Sequence, residues 1–308
     1  MKTCHIGYFI KHKREELGIA QDDLCDGICD KSTLSRIERG LTQPSYSLMS
    51  MLLGRLGMPE EPLLLPLSDR NYTIVQLQKE IVSCNASHNY LEALQKIDRL
   101  EAAIDSKDRI VRQFVLRARA IAGRIEDGQR VEYSCAEERA LLTEAIGLTV
   151  PNFSLDSIER RLLGVEELKL INQLAITYSE DGQRRLAIDI YRQLLRNIQS
   201  RFVDVEARAM LLPLIAYNYS RLLGRERRYE ECIEVAELGR KCCVEYNRCR
   251  MLGGLLHNQA CALHELGQDE RSKELLTTAY YVHKAMEREK SCLAVQEYAE
   301  DTFNLFLV

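Results

Sequence analysis

Two stretches of this chain carry one pattern in register and without gaps. They are Ile171-Asn172-Gln173-Leu174-Ala175-x-x-Tyr178-x-x-x-Gly182-Gln183-x-x-x-Ala187-x-x-x-Tyr191 and Leu256-His257-Asn258-Gln259-Ala260-x-x-Leu263-x-x-x-Gly267-Gln268-x-x-x-Ser272-x-x-x-Leu276. The pattern reads as two helices joined by a short turn. Gly182 and Gly267 make the turn, and the small residues at 175, 187, 260 and 272 let the two helices cross closely. Tyr191 or Leu276 then packs into the pair. Weaker copies lie near residues 74 to 104, around Tyr90-Leu91-Glu92-Ala93-Leu94, and from Tyr217 to Gly239, where Tyr229-Glu230-Glu231-Cys232-Ile233 supplies the second helix. Such a unit cannot bury its apolar face alone, so neighbours must stack. About five pairs fit between residues 72 and 287.

The rest of the composition agrees with an all-α chain. With 46% hydrophobic and 29% charged residues, six prolines and no tryptophan, 308 residues suit a helical protein of two units rather than one bundle core. Eleven cysteines, an odd number, sit at apolar periodic positions, which reads as buried thiols in a reducing compartment, the cytoplasm. Neither the Cys25/Cys29 pair nor the Cys242, Cys243, Cys249 group has paired zinc-ligand spacing, so no metal is expected. No apolar stretch reaches the length of a membrane span, and no signal-peptide run opens the chain, so no membrane partner is expected. Catalytic signatures are missing too: there is no G-x-S-x-G, no glycine-rich phosphate loop and no H-E-x-x-H, and the six histidines have no partner at motif spacing. The expectation is a protein that is not an enzyme and needs no cofactor.

The first sixty residues read differently. Apolar residues at 6, 9, 10 and 17 give an amphipathic helix that Gly18 ends. Gln21-Asp22-Asp23-Leu24-Cys25 opens a second short helix, acidic in its first turn and broken by Gly27. Asp30 stands as the N-cap of a third helix over Lys31 to Arg39, with Leu34 and Ile37 inward and Lys31, Ser32, Thr33 and Arg36 outward; Gly40 stops it. Tyr46 to Leu56 and a Pro59 to Leu67 segment close a five-helix core. A short helix, a tight turn and a helix with small polar and basic residues on its exposed half is the geometry that enters a major groove. Lys31 and Arg36 reach guanine edges or phosphates, Ser32 and Thr33 allow close approach, Gln21 suits a backbone or adenine contact, and Thr42 is a further candidate DNA contact. By pattern alone, a small protein-interaction bundle with solvated charges stays equally open. Residues 1 to 58 hold eight Lys and Arg against seven Asp and Glu, so DNA binding must rest on where the cations sit.

The runs I-A-Q-D-D-L-C and S-T-L-S-R-I-E-R-G-L-T-Q-P-S resemble the XRE, lambda-repressor-like helix-turn-helix family across residues 6 to 58. That resemblance implies DNA binding, with Arg14 and Glu38 forming an internal ion pair that ties the recognition helix to its scaffold. The turn Gly27-Ile28-Cys29-Asp30 looks one residue shorter than in the phage repressors, as in Firmicute pheromone-receptor regulators. The paired helices resemble tetratricopeptide repeats. Together, and through E-E-L-K-L-I-N-Q-L-A, Y-N-Y-S-R-L-L-G and H-N-Q-A-C-A-L-H-E-L-G, the chain resembles the Rgg/PlcR/PrgX group (RRNPP) of peptide-pheromone receptors.

The expected architecture is therefore a five-helix DNA-binding domain and linker over residues 1–67, followed by a right-handed superhelix of about five helical pairs, the sensor and dimerisation domain, over 68–308. Outward polar residues on the first helices of the repeats are Asn172, Gln173, Tyr217, Asn218, Arg221, His257, Asn258 and His264. An Asn amide can donate to and accept from the backbone of an extended peptide; alternatively each Asn satisfies a neighbouring helix and Arg221 is simply solvated. The resemblance implies a homodimer on a palindromic operator in double-stranded DNA and a short signalling peptide as ligand, with peptide-backbone contacts at Asn172, Asn218 and Asn258. A second reading keeps the DNA binding and makes the repeats a dock for a protein partner or another ligand that is not a pheromone. The apolar end, Ser291 to Val308, is expected to cap the array or to join a dimer interface.

Overall fold

A computed structural model of the chain describes residues 6–58, 69–105, 108–200 and 205–307. Two compact units divide it: one runs to Asp181, and the other consists of Gly182–Gln199 with the chain from Val205 onward. The first unit opens with four helices, α1 (Ile6–Glu16), α2 (Gln21–Cys25), α3 (Lys31–Glu38) and α4 (Tyr46–Arg55). Ile10, Leu24, Leu34, Ile37, Leu52 and Leu56 are fully buried among them, each adding roughly 1.5–3 kcal/mol of apolar transfer. Ser45 caps α4 by accepting from Leu48 N at 3.2 Å. Asp30 occupies the N-cap position of α3 with extended backbone, but its side chain makes no capping hydrogen bond. The fifth helix expected over Pro59 to Leu67, and with it the 67/68 boundary, lies outside the described residues.

Helical pairs follow. In the first unit α5 (Asp69–Ala86) packs on α6 (Tyr90–Ala103), and α7 (Arg109–Ala122) on α8 (Cys135–Gly147), ahead of α9 (Val165–Glu180). The second unit holds α10 (Arg184–Ser200), then α11 (Val205–Arg225) on α12 (Tyr229–Glu245) and α13 (Leu252–Glu265) on α14 (Asp269–Ala285), and ends in α15 (Glu289–Phe303). Small residues sit where the helices cross: the Ser272 hydroxyl donates to Ala260 O at 2.8 Å, and a Cβ added to Gly239 would lie 2.7 Å from Ala216 Cβ. The helical pairs expected near 74–104, 217–239 and 256–276 are thus present as α5–α6, α11–α12 and α13–α14.

The fold is all-α apart from one short hairpin. Between α7 and α8 the chain forms an antiparallel hairpin, β1 (Arg124–Glu126) with β2 (Gln129–Val131), register Arg124↔Val131. Its two-residue turn is Asp127-Gly128, both at positive φ (48° and 77°), the geometry that favours this dipeptide. Arg130 fastens the hairpin by donating Nε to Ala122 O at 2.7 Å and lying over the Tyr90 ring.

At the C-terminus Asn304 adopts a left-handed conformation, Leu305 N donates to Ala299 O, and Gln296 Nε2 donates to Leu307 O. Leu307 thereby joins Val295, Ala299, Leu256 and Leu276 in the terminal apolar cluster, so the tail closes the last layer of its unit. Leu293 and Phe306 stay exposed. No helix of the described residues is long and apolar enough to cross a membrane.

Candidate DNA interface and repeat face

The third helix α3 presents Lys31, Ser32 and Arg36 to solvent, with Thr33 partly covered, while Leu34, Ile37 and Glu38 face inward. Behind it lies a buried polar triad. The Glu38 carboxylate accepts from Arg14 Nε at 2.7 Å and Nη2 at 3.0 Å, and from Gln21 Nε2 at 2.7 Å. Arg14 also donates Nη1 to Ile19 O. The hydrogen bond to Glu38 holds the Arg14 guanidinium above its ordinary pKa. Gln21, read from the sequence as a DNA contact, thus gives one amide proton to Glu38 and is partly exposed.

The cations of α3 differ in what holds them. Lys31 forms an exposed ion pair with Asp22 at 2.7 Å, whose hydrogen bond raises the lysine pKa. Arg39 Nε turns back to Ser35 O. Arg36 instead donates Nε to the neutral hydroxyl of Thr42 at 3.2 Å. The Asp22 clamp on Lys31 was not foreseen from the sequence, although both residues were in view.

One buried arginine links the head to the repeats of the first unit. Arg55 at the end of α4 donates Nη1 to Leu24 O and Asp26 O, and Nη2 to Thr149 O and Glu167 Oε1, both at 3.0 Å. Thr149 Oγ1 donates to Glu167 Oε1 at 2.7 Å, and Gln113 Nε2 to Ala145 O and Thr149 Oγ1. Glu167 Oε2 accepts from Gly164 N, closing the N-terminus of α9. At the same seat Gly27 turns at φ +71°, and a Cβ there would fall 2.1 Å from Thr149 O. Only glycine allows the α2–α3 turn to rest on that backbone. Sequence reasoning passed over Arg55. The available signal was a charged residue inside the apolar run Leu52-Leu53-Gly54-Arg55-Leu56.

The repeat-face residues divide between the two units. On α9, Asn172 is buried, and Gln173 donates to Glu138 Oε1 at 2.7 Å. Burial raises the pKa of that Glu138 carboxyl. In the second unit α11 and α13 are neighbours: Asn258 donates Nδ2 to Tyr217 O at 3.1 Å and Ser220 Oγ at 2.9 Å, so its amide protons bind the adjacent helix. The Tyr217 ring lies where a Cβ on Gly254 would be, 2.6 Å away. Asn218 is half-buried on α11 and Arg221 is exposed. His257 meets the Tyr298 ring edge-on, and His264 pairs with Asp269 at 2.7 Å beside Phe303. Tyr217, Asn218, Arg221, His257 and Asn258 thus share the two neighbouring first helices, and His264 lies at the far end of α13.

His283 of α14 is buried, with its ring at the position of a Gly253 Cβ and Nδ1 without a partner. Burial lowers its pKa and that of His257, helped by Arg288 for the first and by His283 for the second. A group whose folded pKa is depressed in this way charges more readily when unfolded. Stability should be fully present above the ordinary histidine pKa of about 6.5 and decline as pH falls below it. Urea midpoints between pH 8 and 5 check this. The double variant His257→Phe, His283→Phe is expected to flatten that limb, and an unchanged slope would assign it to carboxylates instead.

Residues 78–291 match the model of the RNPP family C-terminal domain, and residues 10–63 match a helix-turn-helix model. The chain belongs to the RNPP family. Among solved structures it is similar to Bacillus thuringiensis PlcR in complex with the peptide PapR7 and DNA, at 19% identity and a TM-score of 0.59 over 94% of this chain and 98% of that one. Apo PlcR gives 16% identity and 0.57 over 97% and 98%. ComR of Streptococcus vestibularis in complex with its signaling peptide XIP gives 15% and 0.52 over 96% and 97%. At these identities the likeness is one of fold. No curated protein sequence matches the chain.

Proposed function

We propose that this RNPP-family chain is a sequence-specific, DNA-binding transcription regulator rather than an enzyme, working in the cytoplasm as a homodimer on a palindromic operator. Residues 1–67 are its DNA-binding domain, and residues 68–308 its peptide-sensing and dimerisation domain. The observation that carries the reading is α3, whose Ser32 and Arg36 are exposed while Glu38 and Arg14 lock its other side into the scaffold. PlcR with PapR7 and DNA, and ComR with XIP, support a short peptide as the ligand. Arg221, exposed on α11 between the half-buried Asn218 and the chain's own turn, suits a carboxylate of such a peptide.

A second reading makes the repeats a dock for a protein partner. It is favoured by Asn258, whose amide protons serve α11, and by exposed Leu293 and Phe306 on the last layer. The test is a gel shift of purified protein on the DNA upstream of its own gene, with and without synthetic peptides encoded by small adjacent reading frames. Specific binding altered by one peptide is the expected result. Specific binding indifferent to every peptide favours the docking role, and no specific binding removes the regulator.

A further inference from the structure

We propose that Thr42 is the positioning residue that presets Arg36 to read a guanine in each half-site; this rests on the DNA-binding reading of α3. The backbone explains why Thr42 is available. After α3, Gly40 turns at φ +72°, Gly40 N donates to Ile37 O and Leu41 N to Arg36 O, both at 2.9 Å. This pair of bonds closes a Schellman turn, a rigid reversal that folds the following residues against the last helical turn. Thr42 is thereby carried back to Arg36, and its Oγ1 accepts from Arg36 Nε at 3.2 Å.

The chemistry of that bond decides what the arginine has left. A guanidinium carries five N–H donors in a plane; with Nε engaged, the Nη1 and Nη2 ends remain as a two-pronged fork. That fork matches the N7 and O6 acceptors that guanine presents in the major groove, and no other base offers two acceptors on that edge. The bond to a neutral hydroxyl fixes the side chain's direction without neutralising its charge. Among the described residues no carboxylate pairs with Arg36, whereas the charge of Lys31 is partly offset by Asp22. Ser32 stands four residues earlier on the same face and, being small, leaves room for the helix to approach. Thr42 acts here through Arg36 and need not touch the duplex.

Duplexes selected from a randomised library by the wild type, Arg36→Ala, Thr42→Val and Thr42→Ser provide the test, with affinities then measured on the selected motif and on single-base changes. The wild type is expected to require one guanine per half-site. Arg36→Ala should lose about 5- to 150-fold of discrimination at that position alone, the worth of a bidentate base contact. Thr42→Val should lose about 2- to 12-fold there, equivalent to one net hydrogen bond. Thr42→Ser, which keeps the acceptor, should restore it. Equal weakening of Thr42→Val on every duplex would make Thr42 a phosphate contact and overturn the proposal. A selected motif with no Arg36-dependent guanine would overturn it while leaving the regulator intact, and failure of the wild type to select any motif would remove both.

Discussion

Arg55→Ala is expected to lower the stability of the first unit by about 3–5 kcal/mol, the range for removing one partner of a buried ion pair. The loss comes chiefly from what is left behind. Glu167 is fully buried, and without Arg55 its carboxylate keeps only Thr149 Oγ1 and Gly164 N. Leu24 O, Asp26 O and Thr149 O lose their donor as well. Arg55→Lys should recover little, because one ammonium cannot span acceptors on the α2 end, the α8–α9 loop and α9 that a planar guanidinium reaches at once. The double replacement Arg55→Met, Glu167→Met should recover much of the loss, since it removes both charges together. Chemical denaturation of the wild type, Arg55→Met, Glu167→Met and the double variant gives the coupling energy directly. Additive single effects would mean that Arg55 and Glu167 do not depend on each other, each being held by its other partners.

This clasp also shows where reading the sequence stops. The head was legible because its evidence is local: glycines at 18, 27 and 40 punctuate apolar residues that recur at helical spacing, and α1 to α4 begin and end within a residue or two of those signals. The repeats were legible for the same reason, through the Ala175/Gly182/Ala187 and Ala260/Gly267/Ser272 patterns. Arg55 and Glu167 are 112 positions apart, and nothing local links a charge in one apolar run to a charge at the start of another helix. The hairpin at 124–131 carried a good turn dipeptide in Asp127-Gly128, but strands of three residues, Arg-Ile-Glu and Gln-Arg-Val, offer no apolar alternation to flank it. Asn258 was ambiguous on chemical grounds: an amide on the first helix of a repeat can turn to a ligand or to the helix beside it, and the presence of Ser220 one layer away decides where its protons go. Local period therefore defines the helices, while the polar bonds between them depend on stacking that the period does not encode.

Glu38→Ala is expected to destabilise the head by a comparable amount, about 3–5 kcal/mol, because Arg14 is left with its guanidinium in the protein interior and only Ile19 O and the exposed carboxylate of Glu15, 3.6 Å away, to receive it. The more informative variant is Glu38→Gln. Every neighbour of this side chain is a donor: Arg14 Nε, Arg14 Nη2 and Gln21 Nε2. A carboxylate accepts on both oxygens, whereas a glutamine must turn its own NH2 toward one of those donors. Near-isosteric Glu38→Gln should therefore behave much like the alanine variant in thermal and urea denaturation, rather than like the wild type. The position matters for DNA as well as for stability, since Glu38 ends the helix that carries Arg36, and Gln21 begins the helix packed against it. Below its melting transition the glutamine variant should bind a selected operator more weakly, with the same base preference, because the reading face is intact but loosely held. A Gln variant as stable as the wild type would show instead that water or a reorganised Gln21 satisfies Arg14, and that the triad contributes orientation without stability.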